Sequence, residues 1–436
     1  MTDGIITIEK DPRIIAADFT SETEIIEKAL LPDAADALRG RDMLCFSHDW
    51  SGDPLSKTHL MRLMARDNRV LWVNSIGYRT PTASKADLSR ALKKLLAAAN
   101  PLREVEPNMF TLNPLVIPAY GNPGVRAFNR RFLRWQVRRA MRQLEFDRVI
   151  NWVFNPAASV IAGELGEETV IYYCVDEYTA FTGVDSDSLA ELERQLMMRS
   201  DLVIVSADRL YRSKAPFNPR TALVRHGVDY SHFSRALDHR TNVPDEIARL
   251  PRPVIGFFGL IADWVDVELI ASVAERFSTG SLALLGKVTT DISMLERAPN
   301  VHLLGRKHYS ELPAFCKGFD VALMPFRINE LTLNANPLKA REYLAAGLPV
   351  VSTAIPEVEA LGLCRIGVDR ESFLFEVEQS LLDPGPKVER SESVRGESWE
   401  TRVDEIRSHL ARLFDDEEWF ENGKCWKTDY LDCGSN

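Results

Sequence analysis

The chain has 436 residues, 45% hydrophobic and 27% charged, which is enough apolar mass for two globular domains or one large one. Its formal net charge of −10 argues against nucleic acid as a partner held through bulk charge. Six scattered cysteines without a CxxC pair argue against a disulfide framework or a zinc site, and the N-terminus and hydropathy suggest neither a signal peptide nor a membrane span; a cytoplasmic protein is expected.

In chain order, short runs rich in Val, Ile and Leu alternate with helical patterns. The strand candidates of the first half are MLCFS (43–47), RVLWVN (69–74), RVINWVF (148–154), TVIYYC (169–174), LVIVS (202–206) and TALVR (221–225). Those of the second half are VIGFF (254–258), LALLG (282–286), VHLLG (301–305), DVALMPF (320–326) and PVVST (349–353). Each is nearly continuous rather than alternating, as strands of a parallel sheet covered on both faces are. Strands separated by helices imply βαβ units and an α/β fold with two doubly wound, Rossmann-like domains. The polar stretch at 235–252 divides them, and PGPKVERSESVRGES (384–398) is a second connector. The expected units are 1–240, 250–385 and a terminal helix within 396–420.

Several segments carry candidate chemistry. FSHDWSGDPLSKTHLM (46–61) leaves the first strand and opens a helix, which puts His48, Asp49 and Gly52 at the carboxyl edge of the sheet. RAFNRRFLRWQVRRAMRQLEF (126–146) holds seven arginines before its first acid, Glu145, interleaved with aromatic and aliphatic residues. As a helix it would be basic and amphipathic, suited to an anionic membrane surface; the apolar loop LNPLVIPAYGNPG (112–124) would assist. YYCVDEYTAFTG (172–183) places Asp176 and Glu177 after a buried strand, where a carboxylate can take a proton from a hydroxyl or cap a helix. DSD (185–187) precedes a helical run and reads as an N-cap cluster rather than a metal site.

In the second half, Gly259 turns a strand into a helix and lets backbone N–H groups approach a phosphate. Lys287 and Arg306 each follow a glycine at a strand end, as cations for a diphosphate or as solvated loop residues. NANPLKAREYLAAGLPVV (334–351) is the most informative stretch. Asn336 suits an N-cap and Pro337 a first helical position, Gly347 suits the position beyond the helix end, and Pro349 blocks continuation. The helix start at Pro337 and Leu338, with Lys339 in the first turn, would attract phosphate. Glu342 lies on the same face, three residues on, and could accept two hydrogen bonds from vicinal ribose hydroxyls. An ordinary surface ion pair has the same spacing.

PLKAREYLAAGLPVVST resembles the nucleotide-binding helix of GT-B glycosyltransferases of the bacterial polysaccharide group, which includes teichuronic-acid transferases and, more distantly, the xanthan glucuronosyltransferase. RHGVDYSHF (225–233), with His226 in place of an Asn, resembles the segment closing the N-terminal domain of such enzymes. VIGFFGLIADWVDVELI (254–270) resembles their first donor-domain strand, turn and helix, and NVHLLGRKHYSELPAF (300–315) the segment meeting the base. CFSHDW (45–50) and WVNSIGYRTP (72–81) resemble the opening of their N-terminal domain. Of the family's two glutamates eight residues apart, Glu342 matches the second, and Asn334 stands at the first. The resemblance implies transfer of a sugar from a nucleotide-diphosphate sugar, most simply UDP-linked, to a polysaccharide or polyprenyl-diphosphate-linked acceptor, without a metal or other cofactor. It implies Asp176 as the base, Gly259, Lys287, Arg306, Pro337, Leu338, Lys339 and Glu342 on the donor side, and His48, Asp49, Gly52 and Glu177 on the acceptor side. A nucleotide-sugar 2-epimerase and a non-catalytic, membrane-associated subunit are the alternative readings.

Overall fold

The computed structural model describes residues 38–75, 101–117 and 123–415. Outside them lie the N-terminal segment, most of the 72–81 motif after Ser75, part of the 112–124 loop, the tail, and Cys425 and Cys433. The first sheet contains β1 (Asp42–Phe46), β2 (Val70–Val73), β3 (Leu102–Glu106), β4 (Met109–Leu112), β5 (Val149–Val153), β6 (Thr169–Cys174), β7 (Leu202–Val205) and β8 (Thr221–Leu223). Their order is β3-β4-β2-β1-β5-β6-β7-β8, parallel except for β3 against β4. The second sheet contains β9 (Val254–Phe258), β10 (Ser281–Leu285), β11 (Val301–Gly305), β12 (Val321–Met324), β13 (Val350–Thr353) and β14 (Arg365–Gly367). It is wholly parallel, in the order β11-β10-β9-β12-β13-β14.

The apolar runs predict the central strands, which are buried along their length, and also the partly exposed edge strands β8 and β11. The pattern missed β3, β4 and β14. Leu102–Glu106 exposes most of its side chains at a sheet edge, and Arg365–Gly367 is a short edge strand. The connectors hold more structure than their composition suggests. Asp245–Ala248 and Val388–Glu392 are short helices, and Ile247 and Val394 are buried in the second core.

Two helices of the first half carry segments singled out in the sequence. Helix α1 (Ser56–Met64) follows β1, and α2 (Pro123–Gln143) is the basic helix. Leu133, Val137, Ala140 and Met141 of α2 enter the core. Gln136 holds the backbone N–H and carbonyl of Leu115, and Asn129 does the same for Ile117, so the apolar loop is stitched to the helix. Helix α3 (Ser186–Arg199) is capped by Asp185, as the DSD reading holds. Helix α4 (Asp208–Lys214) follows β7. The last described helix buries Val403, Ile406, Leu410 and Leu413 in the core of the first sheet. The chain therefore crosses between the two bodies twice, and Arg225 ties them through Glu357 at 2.7 Å.

Candidate active site

In the second sheet β9 has β10 on one side and β12 on the other. Such a reversal of strand order opens a crevice at the carboxyl ends. Gly259 follows β9 there, and the loop after β12 leads to helix α5 (Leu338–Ala345). Its N-cap is Pro337, not Asn336 as the sequence suggests. Asn336 is buried, so its polar atoms need partners elsewhere. Its Nδ2 donates to the Ser206 carbonyl at 2.7 Å, its Oδ1 accepts from Arg341 at 2.8 Å, and its carbonyl lies 2.7 Å from His226 Nδ1. These residues join the two bodies, and His226 lies at their junction. At the other end Gly347 takes φ +83°, and the N–H groups of Gly347 and Leu348 bond Leu344 and Tyr343.

Tyr343 sets the height of α5. Its hydroxyl accepts the Phe258 N–H at 2.7 Å, at the end of β9. Lys339 lies one turn earlier on the same face and therefore crosses Gly259. A Cβ on Gly259 would stand 2.1 Å from Lys339 Cε and 2.8 Å from Nζ. The half-buried ammonium makes no hydrogen bond or ion pair among the described residues, and burial lowers its pKa against the pull of Glu342. Glu342 is also unpaired among the described residues. Burial raises its carboxyl to about 7, with Lys339 opposing and Asp229 adding. The two form no ion pair with each other; Glu342 is buried and Lys339 half-buried.

The remaining donor-side candidates divide. Gly286 belongs to the turn itself: a Cβ there would meet the Gly259 carbonyl oxygen at 1.7 Å. Lys287 is exposed at the same edge. Arg306 instead reaches across the cleft and binds Asp53 at 2.7 and 3.1 Å. Tyr309, which the sequence reading overlooked, stacks on His232 at 4.4 Å, and its hydroxyl is buried without a partner.

On the other wall, Asp176 follows β6 and its carboxylate accepts no hydrogen bond among the described residues. Burial raises it to about 6, against the opposing charge of Lys57. Glu177 is engaged elsewhere. It caps the turn at Tyr178 and accepts Lys214 of α4 at 2.9 Å, and Lys214 also binds buried Glu193. That makes Glu177 a structural acid rather than one free for an acceptor. His48 bonds Ser47 at 3.1 Å, packs edge-on against Trp72, and is held neutral, its pKa lowered to about 4 by burial and Lys57. Asp49 accepts the Ser75 N–H at 3.1 Å, and Gly52 sits in an exposed turn whose space a side chain could share. Lys57 was also missed; its only sequence signal is a cation in a helix first turn, where an acid is favoured.

Between the walls lies a cavity of about 680 Å³, lined by Phe181 and Thr182 from the first body and by Leu260, Trp264, Thr289 and Glu330 from the second. Thr182 donates to Asp263 across it at 2.7 Å. No group of three His, Cys, Asp or Glu is placed to hold a metal ion among the described residues.

Residues 252–380 match the family described as Glycosyl transferases group 1. A protein of Bacillus subtilis (strain 168), named for teichuronic acid biosynthesis as glycosyltransferase TuaH, is 25% identical over 287 residues, covering 62% of this chain and 69% of the relative. Among solved structures, an α,α-trehalose-phosphate synthase (UDP-forming) from Burkholderia vietnamiensis superposes with a TM-score of 0.60 at 13% identity, over 85% of this chain and 96% of that one. Anabaena HepE in complex with UDP superposes with a TM-score of 0.53 at 14% identity, over 88% and 99%. These likenesses agree with the crevice, the unpaired lysine and the two facing sheets: the chain carries a group 1 glycosyltransferase domain in a GT-B framework, and it is a glycosyltransferase.

Proposed function

We propose that this enzyme moves a sugar from a UDP-linked donor to a polysaccharide or polyprenyl-diphosphate-linked acceptor in cell-surface or exopolysaccharide synthesis. The observation that carries the donor half is the Lys339 ammonium lying unpaired over Gly259, with Glu342 beside it and Tyr343 fixing both. A diphosphate placed over the β9 turn meets the helix N-terminus and Lys339, with Lys287 at its edge. The ribose hydroxyls donate to Glu342. Arg306 reaches the phosphates only by releasing Asp53. The UDP named for two of the structural neighbours and the teichuronic acid biosynthesis named for the Bacillus relative support the choice of nucleotide and pathway class.

In the proposed reaction the bond from sugar C1 to the diphosphate oxygen breaks, and a bond from C1 to the acceptor oxygen forms. The acceptor proton passes to Asp176, and the diphosphate leaves with its extra charge balanced by the lysines and the helix N-terminus. No metal is assigned a step.

The acceptor half rests on α2. Phe128, Arg131, Trp135, Arg139 and Arg142 are exposed and spaced three or four residues apart, so they share one face. Arg130 and Arg134 are spent on Glu164, but these three arginines have no carboxylate partner among the described residues. An anionic bilayer on the cytoplasmic side would meet this face, and no described helix is long and apolar enough to cross a membrane.

The deciding experiment is a thermal-shift panel of UDP-, GDP- and TDP-sugars on wild type and Lys339→Ala. Stabilisation by UDP-sugars alone, lost in the variant, is the expected result. Equal stabilisation of both proteins, or of neither, would refute the donor site as drawn.

A further inference from the structure

Lys57 has no place in the donor site, yet it stands at the carboxyl edge of the first sheet. It lies in the first turn of α1, which has no acid there. Strands β1, β5 and β6 are neighbours, so the residues after β1 and β6 are separated by roughly 10 Å of sheet. Phe154 closes the end of β5 between them, and Lys57 Nζ lies 5.9 Å from the centre of its ring. The ammonium therefore stands at the end of β5, the strand beside β6, and Asp176 follows β6 at the same edge. The ammonium has neither a hydrogen bond nor an ion pair among the described residues.

The groups facing this pair are few. Cys45 of β1 and Cys174 of β6 are buried thiols whose pKa burial raises well above normal. The His48 and His226 rings are kept neutral by burial and feel Lys57 as a further cation. Glu177 is held by Lys214. Among the described residues Asp176 is the carboxylate left to answer Lys57, and the two act on one another's charge.

We infer that Lys57 is a positioning residue for transfer: it keeps Asp176 ionised and turned into the cleft, and it offsets negative charge on the acceptor oxygen once Asp176 has taken the proton. This rests on Asp176 being the base. An unpaired ammonium half-removed from water is costly, and a carboxylate beside it lowers that cost for both groups.

The test needs no known substrate. Full-length wild type, Lys57→Met, Asp176→Asn and the double variant are melted at pH 8 and pH 5. At pH 8, Lys57→Met should lower Tm by about 3 °C when Asp176 is present and should be neutral or stabilising in the Asp176→Asn background. At pH 5 that difference should shrink, because the Asp176 carboxyl is then largely protonated. Equal losses in both backgrounds at both pH values would mean that Lys57 only packs on Phe154, and would overturn the inference. UDP release from the sugar nucleotide found in the panel gives a second readout. The acidic limb should move up by about one pH unit in Lys57→Met, with recovery near pH 9 and rescue by Lys57→Arg. Slower UDP release with an unmoved limb would instead make Lys57 an anion contact and overturn the positioning role. If Asp176→Asn keeps full activity the base assignment fails by itself, while the melting cycle still judges the pair.

Discussion

Lys339 and Gly259 occupy one another's space: the lysine stem lies where any side chain at 259 would begin, 2.1 Å from Cε. Gly259 also has φ +139°, a conformation only glycine adopts without strain. Gly259→Ala should cost about 1–2 kcal/mol of stability through the backbone, since the lysine can swing aside. Its larger effect should be on UDP-sugar affinity, measured by calorimetry, because the swung lysine no longer covers the turn. Gly286→Ala should be the more destabilising of the two in thermal melts, because its Cβ meets a backbone oxygen rather than a flexible side chain.

Glu342 predicts a pH dependence. Its folded carboxyl titrates at about 7, above the ordinary carboxylate value of an unfolded chain, so the native state binds the extra proton. Its contribution to stability is complete below the unfolded value and is lost as pH rises through about 7, on the order of 3 kcal/mol by linkage. Glu342→Gln should therefore flatten the fall in Tm between pH 5 and pH 8. Ribose hydroxyls donate to the ionised form, so wild-type UDP affinity should rise over the same interval and the variant's should not.

Asp176→Asn removes the proposed proton acceptor and keeps the shape. Turnover should fall by roughly 10²–10⁴, the usual contribution of a positioned base. The nucleotide thermal shift should survive, since Asp176 belongs to the opposite wall. Retained turnover would require another base, and His48, already neutral, would be the next to substitute.

Arg341 is 2% exposed and joins Glu397 at 3.0 Å to Asn336 at 2.8 Å. Arg341→Ala leaves buried polar groups short of a partner, although Glu397 keeps Arg402. A loss of about 3 kcal/mol is expected in denaturant melts. Arg341→Lys should recover little of it, because an ammonium cannot reproduce the guanidinium fork.

Helix α2 offers a test of location. Binding to phosphatidylglycerol vesicles should be lost at high salt. Arg131→Glu with Arg139→Glu should weaken it by at least about 2 kcal/mol, roughly thirtyfold. Phe128→Ser with Trp135→Ser should weaken it without changing the salt dependence.

By itself the sequence determined the architecture and the helix that follows Pro337. Buried parallel strands must be apolar along their whole length, and the turn and cap rules for glycine and proline are local, so β9 to β13 and the stop at Gly347 could be read directly. Edge strands such as β3 escape that rule because half their surface faces water. What only the tertiary structure decided is which polar side chains remain free. Asn336 looks like a cap and is a bridge between the bodies, Glu177 looks like a second cleft acid and belongs to Lys214, and Arg306 looks like a phosphate ligand and holds Asp53. Lys57 and Tyr343 are silent in sequence. A side chain's chemistry depends on which partners long-range packing brings within hydrogen-bonding distance, and that distance is not written in local spacing.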